Sequence, residues 1–169
     1  MPYVLVANEP MQSWVADAAA FPRAIPARLR GLLDEGIVER DGGIYFAAQV
    51  PLGDKFDALK GHLDSTGAIE WWINEISLSS LKPVRRTIPG TEEWVYECVA
   101  IAVAFGEAVL EAAAAVSERE IEVVVSVEFG EDVEQPSSTF RFGTVTDGVG
   151  WSRHPDEYEQ AVFSMRRTT

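Results

Sequence analysis

The chain has 169 residues, 47% of them hydrophobic, with 14 basic and 27 acidic side chains, two histidines and one cysteine. That apolar content excludes a disordered chain, the lone cysteine excludes an internal disulfide, and without a Cys or His pair at ligand spacing a structural zinc site is excluded. The formal net charge of −13 is unevenly placed, because residues 92–134 hold 12 acidic residues and only one base, Arg119.

In chain order, residues 2–8 carry the apolar run Tyr-Val-Leu-Val-Ala and read as a short strand inside a sheet. They lack the basic start of a secretory signal, and no apolar run reaches the ~18 residues of a membrane span, so the expected compartment is the cytoplasm. Pro26 to Glu35 reads as a helix, with Leu29, Leu32 and Leu33 on its buried stripe and Gly36 ending it. Gly36 to Arg40 and Ile44 to Phe46 flank Asp41-Gly42-Gly43, a tight hairpin signal.

Residues 12–50 resemble the winged helix-turn-helix of bacterial transcription regulators, with Trp14 to Ala20 like the first helix of the motif, Phe21 to Ile25 like its turn, Pro26 to Glu35 like the recognition helix and the hairpin like the wing. The resemblance implies DNA binding, with Arg23, Arg28, Arg30 and Arg40 against phosphates.

Asp54 to Asp64 reads as a short amphipathic helix with Phe56, Leu59 and Leu63 on one face. Ala68 to Leu78 carries bulk on both faces, including Trp71 and Trp72, and is expected to be an inner strand with Asn74 and Glu75 at a bulge. Lys82, Arg85 and Arg86 lie in a Pro- and Gly-containing loop before the next helix, where they form a candidate anion site.

From Glu92 to Val116, Trp94, Cys98, Ile101, Phe105, Ala108, Ala112 and Ala115 step by three and four, the spacing of one helix face. The opposite stripe has acid at its ends and alanine in its middle, so the helix is expected to be covered on most sides. Gly106, unfavourable inside a helix by up to ~1 kcal/mol, marks close approach of another backbone. The period then changes. Between Glu120 and Phe129, Ile121, Val123, Val125, Val127 and Phe129 alternate with Glu120, Glu122, Val124, Ser126 and Glu128, which predicts a strand with an acidic outer row. Residues 130–138 read as an acidic loop and 139–146 as a strand. Asp147-Gly148 reads as a hairpin turn returning through Trp151, and Pro155 to Arg167 as a closing helix.

The order β, α, α, β, β, α, β, long α, β, β, β, α defines an α+β fold, a mainly antiparallel sheet packed against one long central helix. A single domain is expected. The sequence holds no phosphate-cradling Gly-x-x-x-x-Gly-Lys, no Gly-x-Gly-x-x-Gly after a strand and no Gly-x-Ser-x-Gly elbow. No cofactor, metal or catalytic residue is indicated. Cys98, mid-helix among apolar neighbours, is expected to be inert, and Glu107 with Glu111 has the i, i+4 spacing common on solvated helices.

The leading functional expectation is a non-catalytic protein that binds a basic protein partner, as an inhibitor, an immunity protein or an imitation of nucleic acid. Its contacts would be Glu118, Glu120, Glu122, Glu128, Glu131, Asp132 and Glu134, since a surface of one sign steers an oppositely charged partner. Two alternatives stand beside it. One is the DNA-binding regulator that the resemblance implies; the other is a small-molecule or enzymatic pocket lined by Trp71, Trp72 and Trp151.

Overall fold

The computed structural model describes residues 3–80, 88, 90–131, 133–145 and 154–168. The first half contains strand β1 (Tyr3–Ala7), helices α1 (Glu9–Ala18) and α2 (Ala27–Glu35), strands β2 (Ile37–Arg40) and β3 (Gly43–Phe46), and helices α3 (Asp54–His62) and α4 (Thr66–Ile73). After them come strand β4 (Ile76–Ser77), the 23-residue helix α5 (Glu92–Ala114), and strands β5 (Ile121–Glu128), β6 (Ser137–Thr144) and β7 (Ala161–Arg167).

Helix α5 is the centre of the molecule, as its periodicity predicts. Thr91 caps its start by accepting a hydrogen bond from the Trp94 N–H, and Glu92 and Glu93 occupy the positive end of the helix dipole. Val95, Val99, Ala102, Phe105, Val109 and Ala113 are fully buried, and Ala100 and Ala104 of the uncharged middle are buried too. Helices α1 and α2 pack on one side of it and the sheet on the other. A side chain at Gly106 would place its Cβ 3.1 Å from Met165 Sδ and 3.3 Å from Val123 Cγ1. The close approach at this glycine is made by side chains of β5 and β7, not by another backbone as the sequence suggests.

The main sheet has five strands in the order β1-β7-β5-β6-β4, each pair antiparallel. The short connection from α5 to β5 folds the strand back under the helix, so Ile121, Val123, Val125 and Val127 enter the core. β2 and β3 form a separate two-stranded sheet whose tight turn uses Asp41 at φ 49° and Gly42 at φ 81°, the hairpin geometry the sequence signals. Phe46 of this hairpin lies 5.8 Å from the Phe105 ring and 4.7 Å from the Phe142 ring, joining hairpin, helix and sheet.

Two elements differ from expectation. Residues 66–73 form helix α4, not an inner strand, with Ser65 capping the helix by accepting from the Ala68 N–H. Both faces carry bulk because they serve two different clusters: Ile69 and Ile73 pack with Tyr45 and Phe56, while Trp71 packs on Val124 and Val162. Residues 161–167 form strand β7, and only Pro155–Glu157 makes a short 3-10 turn. Ala161, Phe163 and Met165 alternate into the core, but Val162 is buried on the opposite face, which gives the segment its helical look in sequence. β7 sits between β1 and β5, so its state is set by pairing with strands more than 30 residues away.

The first helix also begins earlier than expected, at Glu9, with Pro10 in its opening turn. The Asp147-Gly148 hairpin lies outside the described residues.

Candidate functional site

Alternation along β5 sends Glu120, Glu122, Val124, Ser126 and Glu128 to the sheet face opposite α5. That face is not an open acidic row. Its middle is closed by Trp71 and Tyr158, which pack on Val124 and Val162, while Arg141 lies 4.5 Å from the Trp71 ring and pairs with Glu75. Glu122 is only 1% exposed. Its cross-strand neighbour in β7 is Arg166, whose Nε donates to Glu122 Oε1 at 3.0 Å and whose Nη1 donates to Glu120 Oε1 at 3.2 Å. Desolvation opposes the charge on Arg166, but the two carboxylates outweigh it and raise the guanidinium pKa.

The acidic residues predicted to bind a partner are therefore divided between two ends of one strand. At the start of β5, Glu120 and Glu122 are paired with Arg166, and Arg119 bonds Glu39 at 2.8 Å and the Gly42 carbonyl, tying the hairpin down. Glu118 is exposed here, beside a cavity of about 760 Å³ that Arg119 and Arg167 also line. At the other end, Glu128, Glu131 and Glu134 are exposed. Gly90 lies against Pro136, so the first turn of α5, with exposed Glu92 and Glu93, belongs to the same end. Among the described residues no ion pair joins these five carboxylates to a base. Asp132 lies outside the described residues.

Three of the four arginines that the winged-helix resemblance places on DNA make contacts within the chain. Arg23 pairs with Glu107 at 3.2 Å, Arg28 donates to Ser80 Oγ at 3.3 Å, and Arg40 donates to the Pro51 carbonyl while its guanidinium lies 4.0 Å from the Phe56 ring. Arg30 is exposed on α2. Lys82, Arg85 and Arg86, the candidate anion site, lie outside the described residues, as does Trp151. Trp71 and Trp72 diverge from α4: Trp71 covers the sheet, and Trp72 is 52% exposed.

Burial pushes the Cys98 thiol up to about 12, so it stays protonated and unreactive at neutral pH, as its surroundings in the sequence imply. Among the described residues no cluster of three or more His, Cys, Asp or Glu side chains is arranged to hold a metal ion. No helix among them is long and apolar enough to cross a membrane.

Sequence reasoning missed a fully buried polar pair. Glu70 on α4 and Asn74, the residue that ends this helix, are both fully buried and bridge β3 to β6. Glu70 Oε1 accepts from the Ile44 N–H at 2.8 Å, and its Oε2 accepts from the Thr144 N–H at 3.0 Å and the Thr144 hydroxyl at 2.8 Å. Asn74 accepts from the Phe46 N–H and donates to the carbonyls of Ile44 and Phe142. These side chains meet backbone groups that a further strand would otherwise satisfy. Desolvation raises the Glu70 pKa and outweighs the hydrogen bonds that favour its charged form. The available signal was a polar pair at i, i+4 inside a strongly apolar segment.

Comparison with known proteins finds no family model, no curated protein and no solved structure that matches this chain.

Proposed function

We propose that this protein is a non-catalytic binding protein of the inhibitor or immunity type, engaging a basic protein partner through Glu92, Glu93, Glu128, Glu131 and Glu134. One observation supports the proposal above the rest. Two segments far apart in sequence bring acidic side chains to one end of the fold without a matching base among the described residues, whereas acids at the opposite end of β5 are bonded to arginine. Like charges held together raise the energy of the free protein slightly, and a cationic partner relieves that repulsion on binding. The same field speeds encounter and makes affinity depend on salt.

The test begins with capture of partners from the source cell extract by wild type and by a variant with all five residues changed to Gln. The dissociation constant of the partner so found is then measured against ionic strength. The expected result is a partner lost by the variant, with wild-type affinity falling steeply as salt rises. A partner retained equally by the variant, or an affinity indifferent to salt, overturns the proposal.

A further inference from the structure

A second cavity, of about 390 Å³, opens on the outer face of the sheet where β1, β7 and the start of β5 meet the Pro155 turn. Its wall combines the apolar side chains of Val4, Val6 and Pro155 with the charged group Glu120, Glu122 and Arg166. Val4 is 49% exposed, an open apolar lip on an edge strand. Glu122 is 99% removed from solvent by its 1% exposure, and only one of its oxygens is used: Oε1 accepts from Arg166, whereas Oε2 is buried without a hydrogen-bond partner among the described residues. A buried acceptor left unmet is costly, and more so when it is charged, so such an atom beside a cavity calls for a donor.

Charge narrows the choice of donor. Glu120 and Glu122 share the single guanidinium of Arg166, leaving one negative charge in excess within that group. Arg167 also borders the cavity, but it alternates to the helix side of the strand, where its charge acts on Tyr3 together with Glu107 and Glu111. His154 stands at the rim, 3.2 Å from Asp156. The volume lies at the small end of ligand sites. We infer that this cavity binds a small organic cation, a primary ammonium or guanidinium on a short aliphatic stem, whose N–H donates to Glu122 Oε2 while its stem lies on Val4, Val6 and Pro155. The site is separate from the acidic end and stands or falls independently of it.

Titration of the full chain with butylammonium chloride, followed by amide NMR, tests the inference. Saturable shifts are expected at Val4, Val6, Glu122 and Ser164, and none at equal concentrations of 1-butanol or potassium chloride. Glu122→Gln keeps the shape but removes the charge and is expected to weaken binding roughly tenfold or more. Because that change also touches the Arg166 pair, Val4→Trp, on the exposed edge strand, serves as a second variant that fills the lip and is expected to abolish the shifts with the fold intact. Absence of saturable shifts in wild type means water alone meets Oε2 and overturns the inference. Shifts unchanged in Val4→Trp, or reproduced by 1-butanol, overturn it as well.

Discussion

The two ends of β5 carry the same residue type and do opposite things with it. At its start, Glu120 and Glu122 are joined across the sheet to Arg166, and Arg119 anchors the hairpin through Glu39. At its finish, Glu128, Glu131 and Glu134 face solvent beside Glu92 and Glu93. A run of glutamates in a sequence is thus two different objects once folded. Cross-strand partners decide which of the described carboxylates are bonded within the fold and which face solvent.

The sharpest way to break this comparison is to remove an internal acid. Glu70→Ala leaves the Ile44 N–H, the Thr144 N–H and the Thr144 hydroxyl without their acceptor, and is expected to cost about 3 kcal/mol in urea unfolding. A loss no larger than that of a surface substitution would mean that the α4 bridge does not hold β3 to β6.

Next in size is Arg166→Met, which strands the buried Glu122 carboxylate. Arg166 is itself 37% exposed, which lets solvent screen part of the pair, so the expected loss is about 2 kcal/mol. Changing Glu120 to Gln instead removes only the exposed partner and is expected to do much less. Equal effects from the two would show that burial does not separate these acids.

A smaller effect appears with pH. Burial raises the Glu70 pKa above its ordinary value near 4.5, so the folded chain holds this proton more tightly than the unfolded chain does. The contribution of Glu70 to stability is therefore constant below the ordinary value and falls as pH rises through the raised one. Glu70→Gln removes that slope, and the stability of wild type relative to this variant is expected to decline across the window. A difference independent of pH, measured by denaturation at several pH values, would contradict it.

The smallest effect belongs to the external acids. Glu128→Gln, Glu131→Gln and Glu134→Gln together are expected to leave the unfolding midpoint unchanged while weakening partner capture. A marked loss of stability would place these residues among the internal acids after all.

Much of this was legible along the chain. The helix of residues 92–114, the alternation of β5 and the Asp41-Gly42 turn each follow from local period or backbone chemistry, whereas Gly106 meets side chains of β5 and β7 where the sequence suggested a backbone. Residues 66–73 and 161–167 were not legible, because short apolar segments buried on both sides fit a helical and an extended period equally well. The Glu122–Arg166 pair spans 44 residues, and no local pattern announces a register match over that distance.

By itself the sequence determined the α+β class, the central helix and the excess of acid, since these depend on near neighbours, on composition and on the 3.6- and 2-residue periods. Only the tertiary structure decided that β7 inserts between β1 and β5, that Glu70 and Asn74 stand in for a strand, and that Glu120 and Glu122 are bonded to Arg166 while Glu128, Glu131 and Glu134 are exposed with no ion pair among the described residues. The physical reason is that strand pairing, burial and charge neutralisation are properties of residues brought together from distant parts of the chain. Each carboxylate acquires its role from that company.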